Sequence, residues 1–297
     1  MNRIVLLLPH KDYFYNQYLK HVNTYYIFKD FKSKFILGLK RLSFLLFPSC
    51  CSIWFTNSFK NIRLDKYDKI ILFDSYYSPY IANYLKNRYP TKQVILFYRN
   101  HIDNPSSLTI INSAVQVWSY DIEDCKKYDL KHNTQFYFSS IKQTNIDDNL
   151  AYDFFFIGQI KGRKLIIDEV YNVLKKIGFK VYFYVIDNTK KDVGANKYID
   201  YSDVVDLMSN SRCIVDLVGS WQKGLTLRPL EALFFSKKLL TNFEEIKDYD
   251  FYSPNNIFIY GKDSISDLSN FLSIPIDAEM QKYIDKYNFP NWINRFN

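Results

Sequence analysis

Glycine and proline are scarce in this 297-residue chain, at 8 and 9 residues. That poverty excludes collagen-like, linker-rich and low-complexity architectures, which need those residues in bulk. The four cysteines (Cys50, Cys51, Cys125, Cys213) form no C-x-x-C, and no histidine sits at metal-ligand spacing from any of them. A zinc module and a disulfide framework are thereby excluded, and the vicinal Cys50-Cys51 pair is no routine staple. Reduced thiols in a cytosolic protein are expected. No segment reaches the ~18 consecutive apolar residues of a membrane span. The opening run Arg3–Pro9 is too short for a signal-peptide core and lacks a small-residue cleavage site, so it reads as a buried first strand.

What is present is aromatic and basic. The chain holds 26 Tyr and 25 Phe, with 47% apolar and 24% charged residues. These are values of a globular protein whose aromatics fill cores and surfaces. The length suits two domains of roughly 150 residues each. Net charge is +8, and residues 1–60 carry nine basic residues against Asp12 and Asp30. A field so concentrated favours an anionic partner such as phospholipid, phosphorylated saccharide or nucleic acid. The last is set aside, since no helix-turn-helix, RNP or zinc signature accompanies the charge.

Short, near-continuous apolar runs alternate with helical stretches, the pattern of parallel strands covered on both faces. Strands are predicted at Ile4–Leu8, Lys69–Phe73, Gln93–Tyr98, Val115–Trp118 and Gln135–Phe138. The helices between them are predicted around Tyr13–Thr24, Phe31–Phe47, Pro79–Arg88 and Ile122–Tyr128. The polar stretch Ile141–Asn149 reads as a linker. The second half repeats the rhythm: strands Tyr152–Ile157, Lys180–Ile186, Cys213–Leu217, Lys238–Thr241 and Asn256–Tyr260 surround helices Arg163–Ile177, Tyr201–Ser209 and Leu227–Phe235. Two short helices, Asp277–Tyr287 and Asn291–Phe296, close the chain. The expectation is α/β, with two Rossmann-like domains facing a cleft. Residues 1–148 form the acceptor side, 149–276 the donor side, and 277–297 are helices packing back on the first domain.

Two segments carry candidate chemistry. In the turn Gly158–Arg163, a glycine at a strand end lets the backbone bend and approach a ligand. Lys161 and Arg163 add cations where the next helix points its free N–H groups, which suits a diphosphate. In the segment Gly219–Asn242, Thr226 is placed to N-cap a helix with Pro229 in its first turn. Arg228 and Glu231, three apart, share one helical face. Such a carboxylate accepts two hydrogen bonds from a ribose diol; a plain Arg–Glu pair is the alternative.

The segment Gly224–Asn242, GLTLRPLEALFFSKKLLTN, resembles the nucleotide-binding signature of GT-B glycosyltransferases. With the upstream YDFFFIGQIKGR it is similar to transferases encoded in lipopolysaccharide and capsule clusters. The resemblance covers Tyr152–Tyr260. It implies a donor site of Gly158, Lys161, Arg163, Lys223, Gly224, Thr226, Arg228 and Glu231, in which Glu231 holds the ribose of a nucleotide sugar and the cations offset its diphosphate. It implies neither a cofactor nor a metal. Many retaining members carry a first glutamate eight positions before this one; here that position is Lys223, which would face the donor phosphates instead. An inverting transfer needs a base for the acceptor hydroxyl, which belongs at an N-terminal strand end. Asp74, closing the run Ile70–Phe73, is the first candidate, with His10 and His101 as rivals.

Phe31, Phe35, Leu39, Leu42 and Leu46 fall on one helical stripe, with Lys32, Lys34, Lys40 and Arg41 off it. Such a helix either packs into the core or rests on an anionic membrane through residues 29–47, bringing the enzyme to a glycan or glycolipid acceptor. A metal-dependent GT-A transferase is disfavoured: Asp147-Asp148 sits in the polar linker, and Asp121–Asp124 opens a helix. A non-catalytic scaffold in a polysaccharide assembly is the other reading.

Overall fold

The computed structural model describes residues 3–11, 17–19, 22–143, 150–187, 199–219, 222 and 224–296, with only the backbone at 48–50. The chain divides into two compact units, Met1–Thr134 with Asn294–Asn297, and Gln135–Ile293.

The first unit is built on a six-stranded sheet in the order β2-β1-β3-β4-β5-β6. Its strands are β1 (Ile4–Leu8), β2 (Asn23–Tyr26), β3 (Lys69–Phe73), β4 (Gln93–Tyr98), β5 (Gln116–Ser119) and β6 (Lys131–His132). All pairings are parallel. Every residue of β3 is buried, as are all but the first of β1 and β4, which is why these runs are apolar on both faces. The main helices are α1 (Lys34–Leu46), α2 (Ser78–Arg88) and α3 (Ile122–Tyr128). Asp121 N-caps α3 by accepting from the backbone N–H groups of Glu123 and Asp124. At the chain's end Phe296 packs edge-on against Phe97 and Trp118, and Lys69 donates to its carbonyl.

The second unit carries a five-stranded parallel sheet, order β11-β10-β9-β7-β8. Its strands are β7 (Tyr152–Gln159), β8 (Val181–Ile186), β9 (Ser211–Asp216), β10 (Lys238–Thr241) and β11 (Ile257–Ile259). The helices that matter are α4 (Lys164–Ile177), α5 (Tyr201–Ser209) and α6 (Leu227–Phe234). α4 buries Ile167, Val170 and Leu174 against Phe154, Phe156 and Val215, and ends at Gly178 in the left-handed region (φ 102°). Counted within each unit, the strands run 2-1-3-4-5, with β6 added at the edge of the first. Both units are doubly wound and Rossmann-like, each with a switch point beside its first strand.

Three expectations are revised. Asn23 and Thr24, the end of the helix expected over Tyr13–Thr24, instead open the edge strand β2; residues 12–16, 20 and 21 lie outside the described residues. Gln135–Phe138 forms only an isolated bridge, Tyr137 to Asn288. The tail through Ile293 belongs with the second unit, because Phe136 and Phe138 cluster with Phe289 and Trp292 there. The division between units accordingly falls after Thr134; of the predicted linker, 144–149 lie outside the described residues. No helix among the described residues is long and apolar enough to cross a membrane. Cys51, Cys125 and Cys213 are buried, and burial pushes the Cys125 thiol up to about 11.

Candidate functional site

In the second unit, the connection from β7 to α4 turns at Lys161 (φ 37°) and Gly162 (φ 77°). Gly158 does not make this turn; it lies inside β7, and its missing side chain leaves room for Arg163. A Cβ there would meet Arg163 Nη2 at 2.9 Å and the Phe156 ring at 3.0 Å. Arg163 bends back to donate from Nε to the Gln159 carbonyl (3.1 Å) and from Nη1 to that of Leu217, tying the ends of β7 and β9 together. Burial lowers its pKa, with Asp216 acting in the opposite sense.

α4 begins without a capping bond from its N-cap side chain, Arg163, so among the described residues its first N–H groups and the positive end of its dipole are available to a ligand. That terminus opens on a pocket of about 360 Å³ whose lining includes Gly162, Arg163, Gly219, Gln222 and Asn242. Lys161 is exposed beside it. The pocket lies beyond the carboxyl ends of β7, β9 and β10, at the switch point where open α/β sheets bind ligands. Asn242 holds the loop after β9 with a reciprocal pair of hydrogen bonds, accepting from Val218 N–H (2.7 Å) and donating to its carbonyl (3.0 Å).

Behind the pocket is a buried polar chain. Glu231 has 0% exposure. It accepts from Arg228 Nη1 at one oxygen and from the Tyr201 hydroxyl at the other (2.6 Å), and Tyr201 lies 2.5 Å from the hydroxyl of Tyr137. Arg228 also faces the Ile157 carbonyl (3.4 Å). Burial works against its charge, but Glu231, Tyr201 and Asp216 outweigh it and raise its pKa. Asp216, buried at the end of β9, is pushed up to about 6 by burial, while Thr226, Arg163 and Arg228 pull it down. Asp216 Oδ2 and Thr226 Oγ1 have no hydrogen-bond partner among the described residues. Thr226 occupies the N-cap position of α6, but its side chain makes no capping bond. Gly224 is buried in the loop before it, and Lys223 lies outside the described residues.

In the first unit, Asp74 follows β3 and spends both oxygens on the end of β4. Oδ1 accepts from Arg99 N–H (3.1 Å) and Nε (3.2 Å), and Oδ2 from the Asn100 amide (3.1 Å). His101, two residues on, shares a pocket of about 570 Å³ with Asp74, Tyr76 and Tyr98. Its Nδ1 lies 3.2 Å from Asp124 Oδ1 and 3.5 Å from Asp121 Oδ2. The other oxygens of these carboxylates are occupied, Asp124 Oδ2 by Ile102 N–H and Asp121 Oδ1 by the α3 cap. These three side chains also form the one group of metal-ligand type among the described residues. His10 packs beside Phe28 and does not line this pocket; its pKa is lowered by burial and then by Lys40.

The structure thus gathers Gly158, Lys161 and Arg163 at one edge of the second unit, and pairs a half-buried Arg228 with the buried Glu231 on α6. It places Asp74 and His101 in one pocket of the first. Sequence reasoning missed Asp216, Tyr201 and Asn242, and weighed Asp121 and Asp124 only as a metal-type cluster, not as neighbours of His101. Asp216 was the legible one, closing the buried run Cys213–Val215 as Asp74 closes Ile70–Phe73.

No protein-family model matches the chain, and neither does any curated protein. Solved structures do. A lipopolysaccharide outer core galactosyltransferase, WaaB in its apo form, aligns over 99% of this chain and 98% of its own, with 11% identity and a TM-score of 0.50. TarM aligns over 77% of this chain and 54% of its own (16% identity, TM-score 0.49). MurG from Acinetobacter baumannii aligns over 97% and 94% (11% identity, TM-score 0.40). At such identity the likeness to the galactosyltransferase is one of fold, and it spans both units: this chain has the GT-B type of α/β fold, with two Rossmann-like units.

Proposed function

We propose that the protein is a glycosyltransferase that moves a sugar from a nucleotide-sugar donor to a lipopolysaccharide or capsular glycan acceptor in the cytoplasm. The observation that carries the reading is the N-terminus of α4, which has no cap from its N-cap side chain and opens with Arg163 onto the switch-point pocket, Lys161 lying exposed next to it in the turn. Backbone N–H groups, a helix dipole and two cations are what a nucleoside diphosphate needs, both bound and departing. No cofactor and no metal enter this reading. Glu231 would reach the ribose only by exchanging the Tyr201 or Arg228 bond for it. On the acceptor side His101 takes the role of base ahead of Asp74: all three Asp74 bonds hold its carboxylate in place. Asp124 and Asp121 instead lie 3.2 and 3.5 Å from His101 Nδ1, close enough to stabilise a protonated imidazole, although Nδ1 makes no hydrogen bond among the described residues.

The test is thermal unfolding with UDP, GDP, CMP and ADP, on the wild type and on Lys161→Ala. Lys161 is exposed, so this variant folds, whereas removing Glu231 takes the ion-pair partner from the half-buried Arg228 and leaves a part-buried Tyr201 contact unmade. A nucleotide at a hundred times its Kd adds about 2.7 kcal/mol; one of the four is expected to do so, and Lys161→Ala to weaken its binding. With the matching nucleotide sugar, His101→Ala is expected to slow nucleotide release roughly 100- to 10,000-fold without changing the thermal shift. If none of the four nucleotides moves the melting curve, the donor-site reading fails; binding without turnover would return the scaffold reading.

A further inference from the structure

α1 is amphipathic, but the structure turns its apolar stripe outward. The helix buries only Lys40 and Phe44, and Lys40 Nζ sits 3.5 Å from the centre of the Phe28 ring and 4.4 Å from that of Tyr77. On the opposite side Phe35, Leu39, Leu42 and Leu46, spaced i, i+4, i+7, i+11, are 75%, 45%, 50% and 59% exposed. Leu45, Phe47 and Ile53 extend this surface and are each more than half exposed. The core-packing alternative is thus removed for these four stripe residues, while Phe31, ahead of the helix, is half-buried edge-on against Trp54. An apolar patch of this extent on a soluble unit marks an interaction site.

Charge selects the occupant. From Phe31 to Leu64 the sequence has six cations, Lys32, Lys34, Lys40, Arg41, Lys60 and Arg63, and no acidic residue. Lys32, Lys34, Arg41 and Lys60 are exposed; Lys34 and Arg41 are on α1 itself, Arg41 resting over the Tyr76 ring. A second copy of this face would set like charges against one another. A planar anionic surface with an apolar interior answers both the cations and the stripe. We infer that α1, with Phe47 and Ile53, docks the chain on an anionic lipid bilayer, the leucines and phenylalanines entering the acyl boundary and the lysines and arginine meeting headgroups. Leu45 also lines the pocket that holds His101, so the docking helix forms one wall of that pocket. The inference stands on the surface alone and does not require the transferase reading.

The experiment is flotation of the full chain with vesicles of phosphatidylcholine alone and of phosphatidylcholine mixed with phosphatidylglycerol. The chain is expected to float with the mixed vesicles and not with the neutral ones, and added salt to release it. Leu39→Ser/Leu42→Ser is expected to bind at least about tenfold more weakly. Lys34→Gln/Arg41→Gln, at roughly fivefold per charge, is expected to bind about 25-fold more weakly. All four positions are exposed, so both variants should melt with the wild type. The inference is overturned if the wild type stays in solution with the mixed vesicles, or if both variants float as the wild type does. It is also overturned if sedimentation shows a dimer that the leucine variant abolishes while vesicles are ignored.

Discussion

At the scale of single residues, the site's electrostatics turn on one carboxylate whose burial costs more than its neighbours relieve. Arg228 and Glu231 satisfy each other, whereas Asp216 lies buried with one oxygen unpartnered. Its pKa, up at about 6 against an ordinary 3.8, makes its ionisation a cost to the folded state. Below 3.8 the group is protonated both folded and unfolded, and nothing is lost. As pH rises through 6 the folded protein must carry a charge that the unfolded chain carries freely in water. Wild type is therefore expected to lose roughly 2 kcal/mol relative to Asp216→Asn between pH 4 and pH 7. Urea unfolding of the two proteins across that range measures the difference; a constant offset would show that Asp216 is not strained. The same residue explains why Arg163 and Arg228 converge here, since both guanidiniums favour its charged form.

At the scale of elements, the β7–α4 connection shows how a glycine's role is misread from sequence. Gly158 looked like the bend, but the bend belongs to Lys161 and Gly162, and Gly158 clears space for the Arg163 guanidinium. Gly158→Ala would press a methyl group against that guanidinium and the Phe156 ring. A cost of about 1–3 kcal/mol is expected, together with weaker nucleotide binding, because Arg163 leaves its bonds to Gln159 and Leu217. Calorimetry with the nucleotide found by thermal shift separates the two effects. A variant with unchanged stability and affinity would show that Arg163 moves aside freely. α1 makes the complementary point: its period announced a stripe, but only the fold determined that the stripe faces outward.

At the scale of the whole molecule, the chain forms its first unit, then the second, and returns its last residues to the first. Phe296 is fully buried there against Phe97 and Trp118. Phe296→Ala is expected to destabilise the first unit by about 3–5 kcal/mol. The measurement is hydrogen exchange of β4 and β5, where protection should fall while that of β7 and β9 is kept. Equal loss in both units would mean that they unfold as one. Repetition of one strand order in both units gives each a switch point, and the two candidate pockets lie at the carboxyl edges of the two sheets.

The strands and the fold class were legible in the sequence because strands buried on both faces must be apolar throughout. The runs Ile4–Leu8, Lys69–Phe73, Gln93–Tyr98 and Lys238–Thr241 are found where they were expected. β2, four partly exposed residues at a sheet edge, carried no such signal, and Gln135–Phe138 carried a false one, since its aromatics serve a cluster with the tail. Residue types with chemistry, Lys161, Arg163, Arg228, Glu231, Asp74 and His101, were also legible. Their partners were not, because a hydrogen bond between Tyr201 and Glu231, or an imidazole set against Asp124, joins residues far apart in sequence. Burial and orientation are properties of the packed chain. Tertiary structure alone decided that Glu231 is enclosed, that Asp74 is fully engaged, and that the apolar face of α1 is left uncovered.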